Sequence, residues 1–130
     1  MLKFLLTALV ALAAVGAAQG MSSGPTLNNC GKLVTKPKTF VIACGDGNYF
    51  LKKLSWRSWG GASAKASGTA AMNDCKPNCA AGKFHFYAAK VTASAIKSCG
   101  KHKEYSKLTI VYPNKHPAGV GKTDVVKLSC

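Results

Sequence analysis

Arginine is almost missing from this chain: Arg57 is the single one, against seventeen lysines. Arginine's planar fork is the usual tool for bidentate reading of phosphates and base edges, so a precise reading site of that kind is not expected. Acidic residues are scarce as well, with only Asp46, Asp74, Glu104 and Asp124 present. Glycoside hydrolysis needs a pair of carboxylates flanking the bond, which this supply makes improbable. No Asn-x-Ser/Thr acceptor occurs, so N-glycosylation is not expected. No Ser or Cys nucleophile signature is visible, and there is neither an internal repeat nor a domain linker. Beyond the first twenty residues no run is long and apolar enough to cross a bilayer.

Those first residues, MLKFLLTALVALAAVGAAQG, read as a leader. Lys3 gives a positive start, Phe4 to Val15 an apolar stretch, and Ala18-Gln19-Gly20 a small-x-small cleavage site. A secretory signal peptide over residues 1–20 is expected, and with it a secreted, extracellular protein. The apolar stretch is too short for a membrane anchor. Cleavage after Gly20 leaves 110 residues, enough for one domain, and lowers the net charge from +14 to +13. A lysine-dominated coat of that size argues for diffuse attraction to polyanions.

Six cysteines, at 30, 44, 75, 79, 99 and 130, follow the leader. An even number in a short exported chain is a disulfide framework before it is a metal site. Cys75-Lys-Pro-Asn-Cys79 has the spacing of a clip across a tight turn, with Pro77 fixing its φ and Asn78 able to take a left-handed conformation. Redox chemistry prefers Cys-x-x-Cys in a βαβ setting, and zinc needs a ligand cluster; neither is present. The other four cysteines allow three pairings. Joining Cys44 to Cys130 and Cys30 to Cys99 would sew the terminal strands together, though spacing alone does not decide it.

The remainder reads as short strands between Gly, Pro and Asn turns. Residues 21–37 are polar, hold two prolines and keep no period, so they are read as an extended N-terminal arm. Residues 38–130 are read as a single β-domain. Lys38 to Cys44 is a short apolar run suited to a strand buried on both faces, and the Gly-Asp-Gly-Asn turn at 45–48 makes a hairpin into Tyr49–Trp59. At period two, Phe50, Leu54 and Trp56 share one side of that run, opposite Lys53, Ser55, Arg57 and Trp59. From Ala62 the alternation is strict: Ala64, Ala66, Gly68, Ala70 and Met72 on one face, Ser63, Lys65, Ser67 and Thr69 on the other. The small side chains leave room for Trp56 opposite. Lys83 to Ser98 fits either a strand or a helical stripe; a strand, favoured here, requires a bulge near Tyr87 because Phe84 and Phe86 lie on the other parity. Leu108, Ile110 and Tyr112 point inward along Glu104–Tyr112, and Val126, Leu128 and Cys130 close the chain. The expected fold is all-β: a small disulfide-stabilised antiparallel β-sandwich or barrel.

Candidates for chemistry are few. Gly119-Val-Gly-Lys-Thr123 resembles the tail of a phosphate loop, but His116 stands where its first glycine is needed and no helix can follow. His85, His102, His116 and Glu104 could form a general acid–base set, as in a small secreted ribonuclease-like hydrolase, yet no spacing links them. Trp59 is read in two ways, as a rim residue covering the sheet edge or as a platform beside Lys53 and Arg57 that stacks on a sugar ring or seats at a membrane interface. Lys53, Arg57, Trp59 and Lys65 are the candidate binding residues.

The segments Ile42–Asn48, Leu54-Ser-Trp-Arg-Ser-Trp-Gly60 and Asn73-Asp-Cys-Lys-Pro-Asn-Cys-Ala-Ala-Gly-Lys-Phe84 resemble a group of small secreted proteins common in soil bacteria and sharing an NDCxPNCAAGxF block. The resemblance spans roughly residues 38–130. It implies export and one β-rich domain, and it brings no catalytic residues. Cys30 and the lysine richness stand apart from the group. The expected role is that of a small secreted cationic protein, non-enzymatic, monomeric and without cofactor or metal. Its expected partners are acidic extracellular or cell-surface polymers: cell-wall polymer, lipid headgroups or nucleic acid. An antimicrobial role is a variant of the same physics.

Overall fold

The computed structural model describes residues 24–130 and Ala11, so the expected leader, Ala11 apart, lies outside the described residues. Eight strands follow in order: β1 (Leu27–Asn29), β2 (Lys32–Val34), β3 (Phe40–Val41), β4 (Tyr49–Ser58), β5 (Ala64–Asn73), β6 (Phe84–Cys99), β7 (His102–Val111) and β8 (Thr123–Lys127). No helix occurs among the described residues. β3 to β8 form one antiparallel meander in sequence order, and β1 and β2 form a separate hairpin.

The meander is rolled into a half-barrel. Tyr49 opens β4 and Tyr112 follows β7, three strands away, yet their hydroxyls lie 2.5 Å apart. Flat strands spaced about 4.8 Å apart would hold the two backbones roughly 14 Å from each other, so the contact needs a concave sheet. Tyr87 packs edge-on against Tyr112 in the same hollow. Leu51, Leu54, Ala64, Ala66, Ala70, Val91, Ala93, Leu108 and Ile110 fill the interior. The alternation read on β5 and β7 therefore points as expected.

The hairpin closes the seam. Thr26 bonds β7 through its amide to the Lys103 carbonyl (3.0 Å) and through its carbonyl from the Tyr105 amide (2.9 Å). On the other side, the Asn29 amide group reaches Val41 of β3, donating to its carbonyl at 2.8 Å and accepting from its N–H at 3.3 Å. Leu27, fully buried between these ties, contributes roughly 1.5–3 kcal/mol. Residues 27–34 thus form a paired element where an arm without period was expected; Cys30 and Gly31 turn it with positive φ.

Other readings are corrected. β3 is a two-residue edge strand with only Phe40 buried, not a strand buried on both faces. β4 carries two irregularities, between Lys52 and Ser55 and between Trp56 and Ser58, with Lys53 at φ +52°. The first switches parity, so Leu51 and Leu54 share the core while Phe50 turns outward against Phe84. Gly68 is required there: a Cβ on it would lie 2.8 Å from the Lys52 carbonyl and 2.9 Å from Leu54. β6 needs no bulge near Tyr87, because its register against β5 runs unbroken from Ala93 to Phe84 and the two phenylalanines belong to the outer face.

The disulfides are Cys30–Cys44, Cys75–Cys79 and Cys99–Cys130. The clip is as expected, although Cys75 rather than Asn78 is the left-handed residue, at φ +52°. The pairings Cys44–Cys130 and Cys30–Cys99 are overturned. Cys30 at the tip of the β1–β2 hairpin reaches Cys44 after β3, and the long β6 carries Cys99 to the chain's end.

Candidate anion-binding face

The outer face of the meander is cationic by construction. Lys52 on β4, Lys65 on β5, Lys90 on β6, Lys107 on β7 and Lys127 on β8 supply one lysine from each of five consecutive strands. Each falls at a position whose neighbours along the strand turn into the core, as Ala64 and Ala66 do around Lys65 and Ala89 and Val91 around Lys90. The register sets them in adjoining rows: Lys52 opposite Thr69, Lys90 opposite Ser67, Lys65 opposite Thr92, and Lys107 opposite both Ser94 and Lys127.

None of the four carboxylates shares that face. Asp46 accepts from the Asn48 amide in its turn at 2.9 Å, which holds its carboxyl below the ordinary value. Asp74 meets His85 at 2.9 Å beside β6, and Glu104 meets His102 at 2.6 Å. Asp124 accepts from the Tyr49 hydroxyl at 3.0 Å inside the hollow. Burial first, and then the bond to Tyr112, push the Tyr49 phenol far above its usual range, and burial also raises Tyr112. Both phenols stay neutral, so their role is to brace the hollow. Among the described residues the only ion pairs are the two histidine–carboxylate contacts, and no lysine or arginine has a carboxylate partner.

The binding residues expected from sequence divide. Lys53 and Arg57 are exposed at the two irregularities of β4, and exposed Lys65 receives the Ser58 hydroxyl at its amide (3.1 Å). Trp59 leaves the set. The second irregularity brings it onto the same side as Trp56, with the rings edge-to-face at 4.7 Å. Its other neighbour is Tyr105 at 5.4 Å, and its indole N–H donates to the Pro25 carbonyl at 3.1 Å. It is a wedge between β4 and the N-terminal segment, not an open platform. Sequence reasoning missed Lys52, Lys90, Lys107 and Lys127. Their polar positions in alternating strands were a signal, but their alignment across strands needed the register.

Exposed aromatic surface lies at one end of the same face. Phe84 and Phe86 are exposed, Phe50 packs on Phe84 at 5.6 Å, and the Lys52 ammonium sits 3.9 Å over the Phe86 ring. The histidines do not converge. His85 begins β6 and His102 pairs with Cys99 at its far end, while His116 lies in the loop before β8 and bonds the Pro117 carbonyl. Glu104 lies against the Cys99–Cys130 sulfurs, which are bonded to each other and offer no thiolate for a metal.

Together these features define an all-β, disulfide-stapled half-barrel with a carboxylate-free cationic outer face. No protein-family model, curated protein or solved structure matches the chain.

Proposed function

We propose that this is a secreted, non-enzymatic cationic protein that binds acidic extracellular or cell-surface polymers through the outer face of β4–β8. Its likeness to small exported proteins with an NDCxPNCAAGxF block belongs to the same reading. Three disulfides suit an oxidising, extracellular compartment. The single observation that carries the proposal is five lysines, one per strand, on a face without a carboxylate. Lysines left without ion-pair partners keep their full attraction for a polyanion, and each phosphate-type contact releases a counterion. The protein should therefore be retained on heparin or polyphosphate at low ionic strength and elute steeply before physiological salt is far exceeded. Retention indifferent to salt would overturn the reading.

A second reading, a small ribonuclease-like hydrolase, is favoured by one contact. His102 Nε2 donates to the buried Glu104 carboxylate at 2.6 Å, which leaves Nδ1 free as a base. His102 lines a groove of about 430 Å³ with Lys101, Lys103, Gly24, Pro25, Gly60 and Ile96. A lysine there could receive a phosphodiester. RNA cleavage by the purified protein, abolished in His102→Ala and retained in His85→Ala, would establish this reading over the first; inert wild-type protein removes it.

A further inference from the structure

We propose that the groove between β6, β7 and the C-terminal segment is a binding site for a phosphate-type oxyanion. This deepens the polymer-binding reading, and rests on it for the chain that carries the group. Lys107 and Lys127 are direct cross-strand partners. Like charges so placed repel, and neither has a carboxylate among the described residues to relieve it. Lys97 enters the same groove from β6, its ammonium donating to the Leu128 carbonyl at 3.3 Å, which leaves two N–H donors to spare. The three lysines line a groove of about 450 Å³ together with Ala95, Ser106 and Ser129.

The groove is held in shape. The Leu128 amide donates to the Ser106 carbonyl at 2.8 Å, the Ser106 hydroxyl donates to the Ala95 carbonyl at 2.5 Å, and Cys99–Cys130 ties the C-terminal wall to β6. Ala95 itself has φ +57°, a conformation a non-glycine residue keeps only where its surroundings impose it. Lysines that merely guard an edge strand against pairing need no such frame and gain from facing apart. Three cations converging on one groove suit a tetrahedral group whose oxygens accept from several directions. A phosphate does this, whereas a planar carboxylate offers one charge and one plane.

The test is an amide-resolved NMR titration of the protein with inorganic tripolyphosphate. Saturable shifts should centre on residues 95–97, 106–107 and 127–129. The double variant Lys107→Gln/Lys127→Gln should weaken binding by about ten-fold or more, as expected for lost bonds to charged groups. Lys53→Gln/Lys65→Gln, with the same loss of charge, should weaken it much less. Equal weakening by the two variants, shifts spread over the whole outer face, or an equal response to polyglutamate would overturn the site while leaving heparin retention intact. Loss of retention on every polyanion would instead sink the broader reading. Because the first variant relieves a repulsion, its thermal midpoint should match or exceed that of the wild type; a lower one counts against the proposal.

Discussion

The two ends of β6 hold the same pair of side-chain types in opposite settings. At its start His85 meets Asp74, whose side chain is 28% exposed; beyond its end His102 meets Glu104, whose side chain is 4% exposed. Asp74 also accepts from the amides of Lys76 and Lys83, both at 3.1 Å, and the bond from His85 leads the causes that bring its pKa down to about 2. It is a turn fastener in water. Glu104 is sealed under the Thr26 bridge and the terminal disulfide, where an ionised group is tolerated only with a partner. The same chemistry thus ties a surface loop at one end and fastens an interior at the other.

That contrast can be broken at three strengths. The disulfides at the two ends differ most. Cys99–Cys130 spans 31 residues and Cys75–Cys79 only four. Loss of the long one by double Cys→Ser substitution should cost about 3–4 kcal/mol, against about 2 for the short one, measured by urea unfolding. Equal losses would mean that the terminal wall is not what holds the buried end together. Next, His102→Ala should cost about 3 kcal/mol, since it leaves a buried carboxylate without its partner. His85→Ala should leave the thermal midpoint nearly unchanged, because its pair is solvated. If both variants melt alike, burial of Glu104 has been given too much weight. The smallest effect is a pH dependence. Asp74 has a folded pKa near 2, below its ordinary 3.8, so its stabilisation is present above about pH 4 and is lost as pH falls through 2. The wild type and Asp74→Asn should differ in acid titration only by that loss, with their curves converging at the acid end.

Where the sequence misled, the cause was local and backbone-based. Period-two reasoning placed Ala64, Ala66, Leu108 and Ile110 correctly because those stretches of β5 and β7 keep an even pleat. It placed Phe50 and Trp59 wrongly because Lys53 takes a left-handed conformation that no side-chain pattern announces, and one extra residue reverses every position after it. The tyrosine contact across the hollow was equally hidden, since Tyr49 and Tyr112 are 63 residues apart and meet only because the sheet curls. Of the candidate binding residues, Lys53, Arg57 and Lys65 were legible from charge and alternation; the lysines aligned with them were not, because alignment belongs to the register between strands.

By itself the sequence determined the β class, the short cysteine clip and a surplus of lysine over carboxylate, because alternation, tight spacing and composition are local or additive properties. The tertiary structure alone decided which cysteines pair over distance, which tryptophan faces inward, and that Lys97, Lys107 and Lys127 share one groove. Those outcomes depend on how the strands register and curl. That is settled by the packing of the whole sheet rather than by any one segment of the chain.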